Sequence, residues 1–367
     1  MLITRAYKVR LYPTKDQEVR LEAILRACRW VYNHYLEERK NHYLEHKKTL
    51  PYAAMSRDLT QLRKKEELLK DIQTVPIQQS LRRLDSAYNS FFRKQNKFPR
   101  FKSRFDNHQS FQKPKDWRVV GNRIQIQKDL NVKFRGNMNE KADLGTLFVS
   151  RDSTGKWFAS VVAQIKVKTP KKYTAPIGID VGLETLATLS TGKKFPNIRA
   201  QEKLQAKLTK AQRELARKQR GSNRRIKAKV RIARVYEKIR NIRTNHVHNI
   251  TAEIVKKNPS VIAIEDLNVS NMMKDRRVSR SLGDASLKEV LRQIEYKQKW
   301  NGGKVVKIDR YFPSSKTCSK CGFIVDELPL SKRSWKCEKC ATIHDRDINA
   351  AKVILAQSSA YGERGTK

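Results

Sequence analysis

Cys318-x-x-Cys321 and Cys337-x-x-Cys340, separated by fifteen residues, constrain the local geometry of this 367-residue chain more than any other feature. Paired knuckles at this spacing match a tetrahedral thiolate site for zinc. Four thiolates close the coordination shell, so one structural Zn2+ per chain is expected; a catalytic zinc keeps an open position. Disulfides are the competing use of these sulfurs, and they belong to oxidising compartments. Gly322 follows the first knuckle and can supply a positive φ, but Ala341 stands in the matching place after Cys340, which predicts a strained second knuckle. The fifth cysteine, Cys28, lies on an apolar helical stripe and reads as core packing.

Lys and Arg number 80 against 36 Asp and Glu, a formal net charge of +44. A solvated surface usually stops at a magnitude of about 2–8 for a small domain, so the excess predicts a polyanionic partner, nucleic acid. The charge is densest over 201–246, where 16 Lys or Arg face only Glu202, Glu214 and Glu237. Leu204, Leu208, Ala211 and Leu215 form one apolar helical stripe, Ile226, Val230 and Ala233 another, and Gly221-Ser222 divides them. A basic helical hairpin follows, and without phosphates to neutralise it the two helices would repel one another. No apolar run reaches the roughly 18 residues of a spanning helix, and no signal-peptide core follows Met1. A soluble, cytoplasmic, nucleoid-associated protein with no membrane partner is expected.

At the start, Ile3, Tyr7, Val9 and Leu11 alternate with Lys8 and Arg10 as in a strand. Pro13 ends it, and Thr14 with Gln17 forms a capping-box signature ahead of Leu21, Leu25, Cys28 and Tyr32 at helical spacing. Residues 14–99 read as helical, with a break at Val75-Pro76. Short β runs then occupy 123–127, 130–134, 147–150 and 157–164, the last two flanking the turn Asp152-Ser153-Thr154-Gly155. They suit a small β-barrel that the first strand joins, since a lone strand would have no partner. Beyond a linker at 168–176 come a hairpin from Ile177–Asp180 and Leu186–Leu189, a helix at 250–255, a strand at 261–264, a helix at 287–300, a strand at 304–308 and a short helix at 347–356. This alternation is α/β.

Three acids sit where such a sheet places ligands. Asp180 ends one apolar strand, Glu265 ends another, and Asp347 opens the last helix, where small Asn349-Ala350-Ala351 would allow close approach to the sheet. Metal-dependent phosphodiester cleavage needs hard carboxylate oxygens; two Mg2+ ions can together activate water and stabilise the leaving oxygen. Each acid alone has a plain structural use, as an N-cap or a turn residue. Asp266 and Asp345 compete for the second and third roles, because spacing does not exclude a shift of one or two residues.

Taken together, Val9-Arg10-Leu11-Tyr12-Pro13, Cys28-Arg29-Trp30-Val31-Tyr32-Asn33, Pro99-Arg100-Phe101-Lys102, the three acidic motifs and Ser314-Ser315-Lys316-Thr317-Cys318 give a chain that resembles the TnpB proteins of bacterial and archaeal insertion sequences, relatives of the type V CRISPR effectors. The resemblance implies an α/β multidomain fold. It comprises a β-barrel wedge domain (1–13 and 100–170), a helical recognition domain (14–99), and an RNase H-like RuvC nuclease domain (171–312 and 343–367) interrupted by a zinc-ribbon insertion (313–342). It also implies a guide RNA from the transposon end, recognition of a short motif beside a double-stranded DNA target, and cleavage of both strands, by one copy on one RNA. On the family pattern Asp180, Glu265 and Asp347 match the catalytic positions. Arg333, within Leu330–Trp335, resembles a residue that steadies the scissile phosphate, and Tyr52 and Gln78 fall where motif readers lie. Leu287 stands where an aromatic is common and Asn245 near an acidic position.

Three other functions compete: an RNA-guided repressor that has lost cleavage, a transposase with a similar carboxylate fold, and a structural RNA-binding protein. The intact Asp…Glu…Asp order argues against the first and third, and co-purified RNA would decide against the second.

Overall fold

The structure, a computed structural model, describes all residues except 107, 139–141, 168, 169, 171, 330 and 363–367. Part of the expected linker, and Leu330 of the Arg333 motif, lie outside the described residues. The chain divides into two compact units, Leu2–Lys166 and Val167–Lys367 with Met1.

The first unit opens with β1 (Leu2–Tyr12), continues through α1 (Lys15–His46), α2 (Tyr52–Lys65), α3 (Glu67–Lys70) and α4 (Thr74–Phe92), and closes with β2 (His108–Lys113), β3 (Arg118–Val120), β4 (Arg123–Gln127), β5 (Leu130–Arg135), β6 (Asp143–Asp152) and β7 (Trp157–Lys166). Thr14 and Gln17 make the expected capping box, each side chain accepting from the other's backbone amide. The predicted break at Val75-Pro76 is displaced. Both residues lie in the first turn of α4, where a proline's missing N–H has no helical partner to lose, and the chain turns just before it, at 71–73. The helices also end at Phe92, and 93–106 are irregular.

The seven strands form one sheet in the order β2-β6-β7-β1-β5-β4-β3, so the first strand sits at its centre. It pairs with β7 from Leu2↔Lys166 to Leu11↔Trp157 and with β5 from Arg10↔Arg135 to Tyr12↔Lys133. The β6–β7 turn is held by Asp152, whose Oδ1 accepts from the Thr154 and Lys156 amides, with Gly155 at φ +83°. One core joins sheet and helices: Val9, Leu11, Phe111, Val132, Val149 and Val161 from the strands meet Leu21, Leu25, Cys28, Leu59, Ile77 and Leu84.

The second unit contains β8 (Ile177–Asp180), β9 (Thr185–Leu189), β10 (Lys194–Pro196), α5 (Ala200–Lys203), α6 (Gln205–Ala216), α7 (Asn223–Lys256), β11 (Val261–Glu265), α8 (Val269–Met272), α9 (Ser279–Ala285), α10 (Leu287–Trp300), β12 (Lys304–Ile308), β13 (Ser334–Lys336), β14 (Ile343–Asp345) and α11 (Arg346–Gly362). The basic hairpin is α6 and α7, divided by Gly221 at φ +86° and by Ser222, whose side chain caps α7. The separate helix expected at 250–255 is the end of α7, which runs unbroken because no Gly or Pro interrupts 223–256.

Its main sheet has the order β10-β9-β8-β11-β12. β8, β11 and β12 are parallel, and β9 returns antiparallel to β8. Ile179, Leu189, Ile262 and Ile264 share a core with Ile250 and Ile254 of α7 and Val290 and Ile294 of α10. On the other side Ala263 and Ile308 pack with Ile354 of α11. Among the described residues no helix is long and apolar enough to cross a membrane.

Candidate active site

Ile264 of β11 is paired in register with Ile179 of β8, so Glu265 and Asp180, each the next residue, leave the same end of adjacent parallel strands. Asp347 reaches them from the first turn of α11. That helix lies close because Gly178 presents no side chain to it: a Cβ there would meet the Ala351 carbonyl oxygen at 2.0 Å. Asn349, Ala350 and Ala351, behind Asp347, are all buried. Asp180 keeps some contact with solvent but is enclosed on most sides. Burial first, then the charges of Glu265 and Asp347, push its carboxyl up to about 7. Burial also raises Glu265, opposed by the hydroxyl of Ser314, which donates to its Oε1.

The two competing acids each pair with a cation. Asp266 pairs with Arg310. Asp345 accepts from Lys194 Nζ at 2.8 Å and from the Ile348 amide at 3.1 Å, contacts that hold it below the usual carboxylate range against its partial burial. Cations border the cluster: Lys194 Nζ lies 3.9 Å from Asp347 Oδ2, and Arg333 lies 3.7 Å from Asp347 Oδ1 while pairing with Glu184. Arg333 thus stands beside the carboxylates. Asp180, Glu265 and Asp347 are near enough for the charges of the latter two to act on the first, and carboxylate oxygens are the hard donors that Mg2+ takes. Among the described residues the group whose ligand atoms all lie within 4.8 Å is the cysteine set.

The four knuckle cysteines also come together, their sulfurs all within 4.8 Å. Cys318–Cys340 and Cys321–Cys337 are each 3.6 Å apart. A tetrahedron with Zn–S bonds of about 2.3 Å requires edges of about 3.8 Å, so the set fits zinc. Ala341 adopts φ +56° and Gly322 φ +74°, as the strained-knuckle reading requires. His344 Nε2 lies 3.0 Å from Cys318 Sγ, with its ring against Trp335. A neutral imidazole there can donate to a thiolate and orient it.

Tyr52 and Gln78 are half-buried residues of the first unit. The Tyr52 hydroxyl accepts from Arg82 Nε at 3.2 Å, one turn along α4 from Gln78. Sequence reasoning gave no role to Ser314, Lys194 or His344. Ser314 opens the stretch that leads into the first knuckle, but its partner Glu265 is 49 residues away, and nothing local signals Lys194.

Family models match three stretches: "Probable transposase" over 159–276, "Cas12f1-like, TNB domain" over 288–354 and "Helix-turn-helix domain" over 1–48. A Streptomyces pristinaespiralis protein named "Putative RNA-guided DNA endonuclease" is 38% identical, covering 99% of this chain and 91% of that one. The chain belongs to the TnpB family. InsQ of Escherichia coli (strain K12), "Putative RNA-guided DNA endonuclease InsQ", is 35% identical over 97% of this TnpB chain and 92% of its own. A solved "Cas12f1-sgRNA-target DNA complex" shares the fold at TM-score 0.57, with 14% identity, 96% of this chain and 99% of that one covered. Residues 1–48 of this TnpB protein are, despite the matched name, a strand and one 32-residue helix.

Proposed function

We propose that this TnpB protein is an RNA-guided, Mg2+-dependent DNA endonuclease. It binds a guide RNA from its transposon's end, reads a short motif beside the target and cleaves both DNA strands. The convergence of Asp180, Glu265 and Asp347 at one end of the β8–β11 pair carries this reading, supported by relatives named for that activity. Bound at these oxygens, two Mg2+ ions would supply activation of a water and stabilisation of the leaving oxygen. The chain's own residues prepare the place. The three carboxylates hold negative charge toward one another, Ser314 orients Glu265, and Lys194 with Arg333 balances Asp347 and offers positive charge to an incoming phosphate.

In this reading 171–312 and 343–367 form an RNase H-like RuvC domain, 313–342 a zinc ribbon held by Cys318, Cys321, Cys337 and Cys340, 14–99 the helical recognition domain, and 1–13 with 100–170 the wedge. The exposed cations of α6 and α7 neutralise nucleic-acid phosphates, while base pairing to the guide reads the target. Tyr52 and Gln78 are assigned to the adjacent motif.

The test is plasmid cleavage by the purified chain with its bound RNA and Mg2+. The parent linearises a matched target, while Asp180→Ala and Glu265→Ala bind RNA but do not cut. Cleavage that survives in either variant, or that needs no RNA, overturns the proposal.

A further inference from the structure

Residues 97–106, Lys97-Phe98-Pro99-Arg100-Phe101-Lys102-Ser103-Arg104-Phe105-Asp106, belong to no helix or strand, and neither the carboxylate site nor the cysteine cluster uses them. Their composition is unusual for an irregular segment. Phe98, Phe101 and Phe105 are 46%, 48% and 61% exposed, and they alternate with Lys97, Arg100, Lys102 and Arg104. Large aromatics at regular intervals among cations suit stacking on bases while phosphates are neutralised.

The segment is held in shape. Asn33 of α1 donates its Nδ2 to the Lys102 carbonyl at 2.9 Å, and its Oδ1 accepts the Lys102 amide at 2.8 Å. The Phe98 ring stands edge-on to Tyr88 and Phe91 at 5.5 and 5.3 Å. A ligand would therefore meet an ordered surface and lose less free energy to ordering it.

Beside it opens a cleft of about 670 Å3 lined by Arg29, Arg83, Arg100 and Lys102, with Phe105 on its wall and Asp106 its one carboxylate. This size lies within the range of about 300–1,000 Å3 that suits a small organic ligand, and so one nucleotide. Arg29 donates to Gln109 Oε1 at 3.3 Å, Arg83 to the Ser110 carbonyl at 3.0 Å, and Lys102 Nζ rests 3.7 Å from the Tyr32 ring centre. These partners are neutral, although the cleft's Asp106 is near enough for its charge to act on Arg29 and Lys102. Burial, with Arg83 nearby, presses Lys102 down to about 8. A further anion in the cleft, beside Asp106, would favour the charged amine against its burial and Arg83.

We propose that the 97–106 strip and this cleft bind single-stranded nucleic acid, one unstacked nucleotide entering with its phosphate among Arg29, Arg83, Arg100 and Lys102 and its base against Phe105. A duplex is disfavoured because its bases offer no free face to these rings. The inference rests on the nucleic-acid role proposed above but on neither guide use nor cleavage.

The first test is protection of Lys102. The full chain is acetylated with and without labelled oligouridylate, oligothymidylate or a matched duplex, and the Lys102 peptide is quantified by mass spectrometry. Single strands should slow its modification at least tenfold, and the duplex should not. Equal modification in all samples, or equal protection by the duplex, overturns the proposal. The second test is affinity. Arg29→Gln/Arg100→Gln should lower the slope of log K against log salt for single strands by about 1.4, two cations at roughly 0.7 each. Phe101→Ala/Phe105→Ala should weaken single-strand binding about tenfold to a hundredfold. Loss for oligouridylate alone assigns the site to RNA, loss for oligothymidylate alone to a DNA strand, and loss for both to the backbone they share. Single-strand affinities unchanged from the parent overturn it. Neither readout uses cutting, so a chain that binds here but cannot cleave separates the failure of this site from failure of the nuclease.

Discussion

Gly178 and Ala351 touch with no space for a methyl group between them: a Cβ on Gly178 would lie 2.0 Å from the Ala351 carbonyl oxygen and 2.9 Å from Leu355. The neighbour at 2.0 Å is backbone and cannot swing aside. Gly178→Ala should push α11 off β8 and carry Asp347 away from Asp180. The expected result is a loss of about 1–3 kcal/mol in stability, read as a lowered Tm, with cleavage falling far more than Tm alone explains. A variant with parental Tm and activity would show that the helix does not need this contact.

Ser314→Ala tests the support of Glu265. Removing the hydroxyl takes away the donor that opposes burial, so the Glu265 carboxyl should rise further above the usual range. Loss of a partner that orients a ligand commonly costs about 10–100-fold in metal affinity or activity. Cleavage titrated against Mg2+ should need more metal, with the acid limb of the pH profile moved upward; an unchanged titration would assign Ser314 to packing alone.

Asp180 predicts how the metal-free protein responds to pH. Its folded carboxyl, at about 7, is raised above the ordinary carboxylate range by burial, then by Glu265 and Asp347. A raised folded pKa favours the native state below the unfolded value, and that contribution is lost as pH climbs through about 7. Melting in chelator should therefore show Tm falling between acidic and mildly alkaline pH, with added Mg2+ restoring more at the alkaline end, where the carboxylate is already free of its proton. Asp180→Asn should flatten this dependence, and a slope that persists in that variant would place its origin elsewhere.

The cysteine cluster predicts one zinc per chain by elemental analysis, and its loss to strong chelators should open 318–340 to protease. A metal assay finding none removes the ribbon. Within it, Ala341 holds φ +56°, a conformation costly for a residue with a Cβ. Ala341→Gly should stabilise the metal-bound ribbon by about 1 kcal/mol, read as slower zinc release.

Much of the second unit was legible because its strands are apolar runs with clear ends: 304–308 and the helix at 287–300 match β12 and α10 residue for residue. The acids were legible for the same reason, each standing where an apolar element stops or a small-residue helix begins. What stayed hidden depends on other signals. The end of the basic stretch at His246 marks a change of charge, and α7 continues through it because hydrogen bonding, not charge, terminates a helix. Pro76 looked like a breaker, yet it sits in a first turn. β2, His108–Lys113, is polar with one fully buried aromatic, Phe111, so alternation is faint. Ser314, Lys194 and His344 acquire partners only through tertiary structure. Of the neighbouring acids, Asp266 is drawn off by Arg310, while Lys194 sits between Asp345 and Asp347, pairings that no local sequence signal gives.

The placement of β1 between β7 and β5 has a consequence for synthesis. β1 is made before β7 and must wait for residues 157–166 before its longest ladder can form. Closing so long a loop is slow, and until then the β7-facing edge of β1 is unpaired from Leu2 to Leu11, while β5 covers the other edge only over Arg10, Leu11 and Tyr12. The nascent chain should thus be most vulnerable to aggregation and proteolysis just before Lys166 emerges, and truncations ending before β7 should accumulate poorly while those ending after it survive.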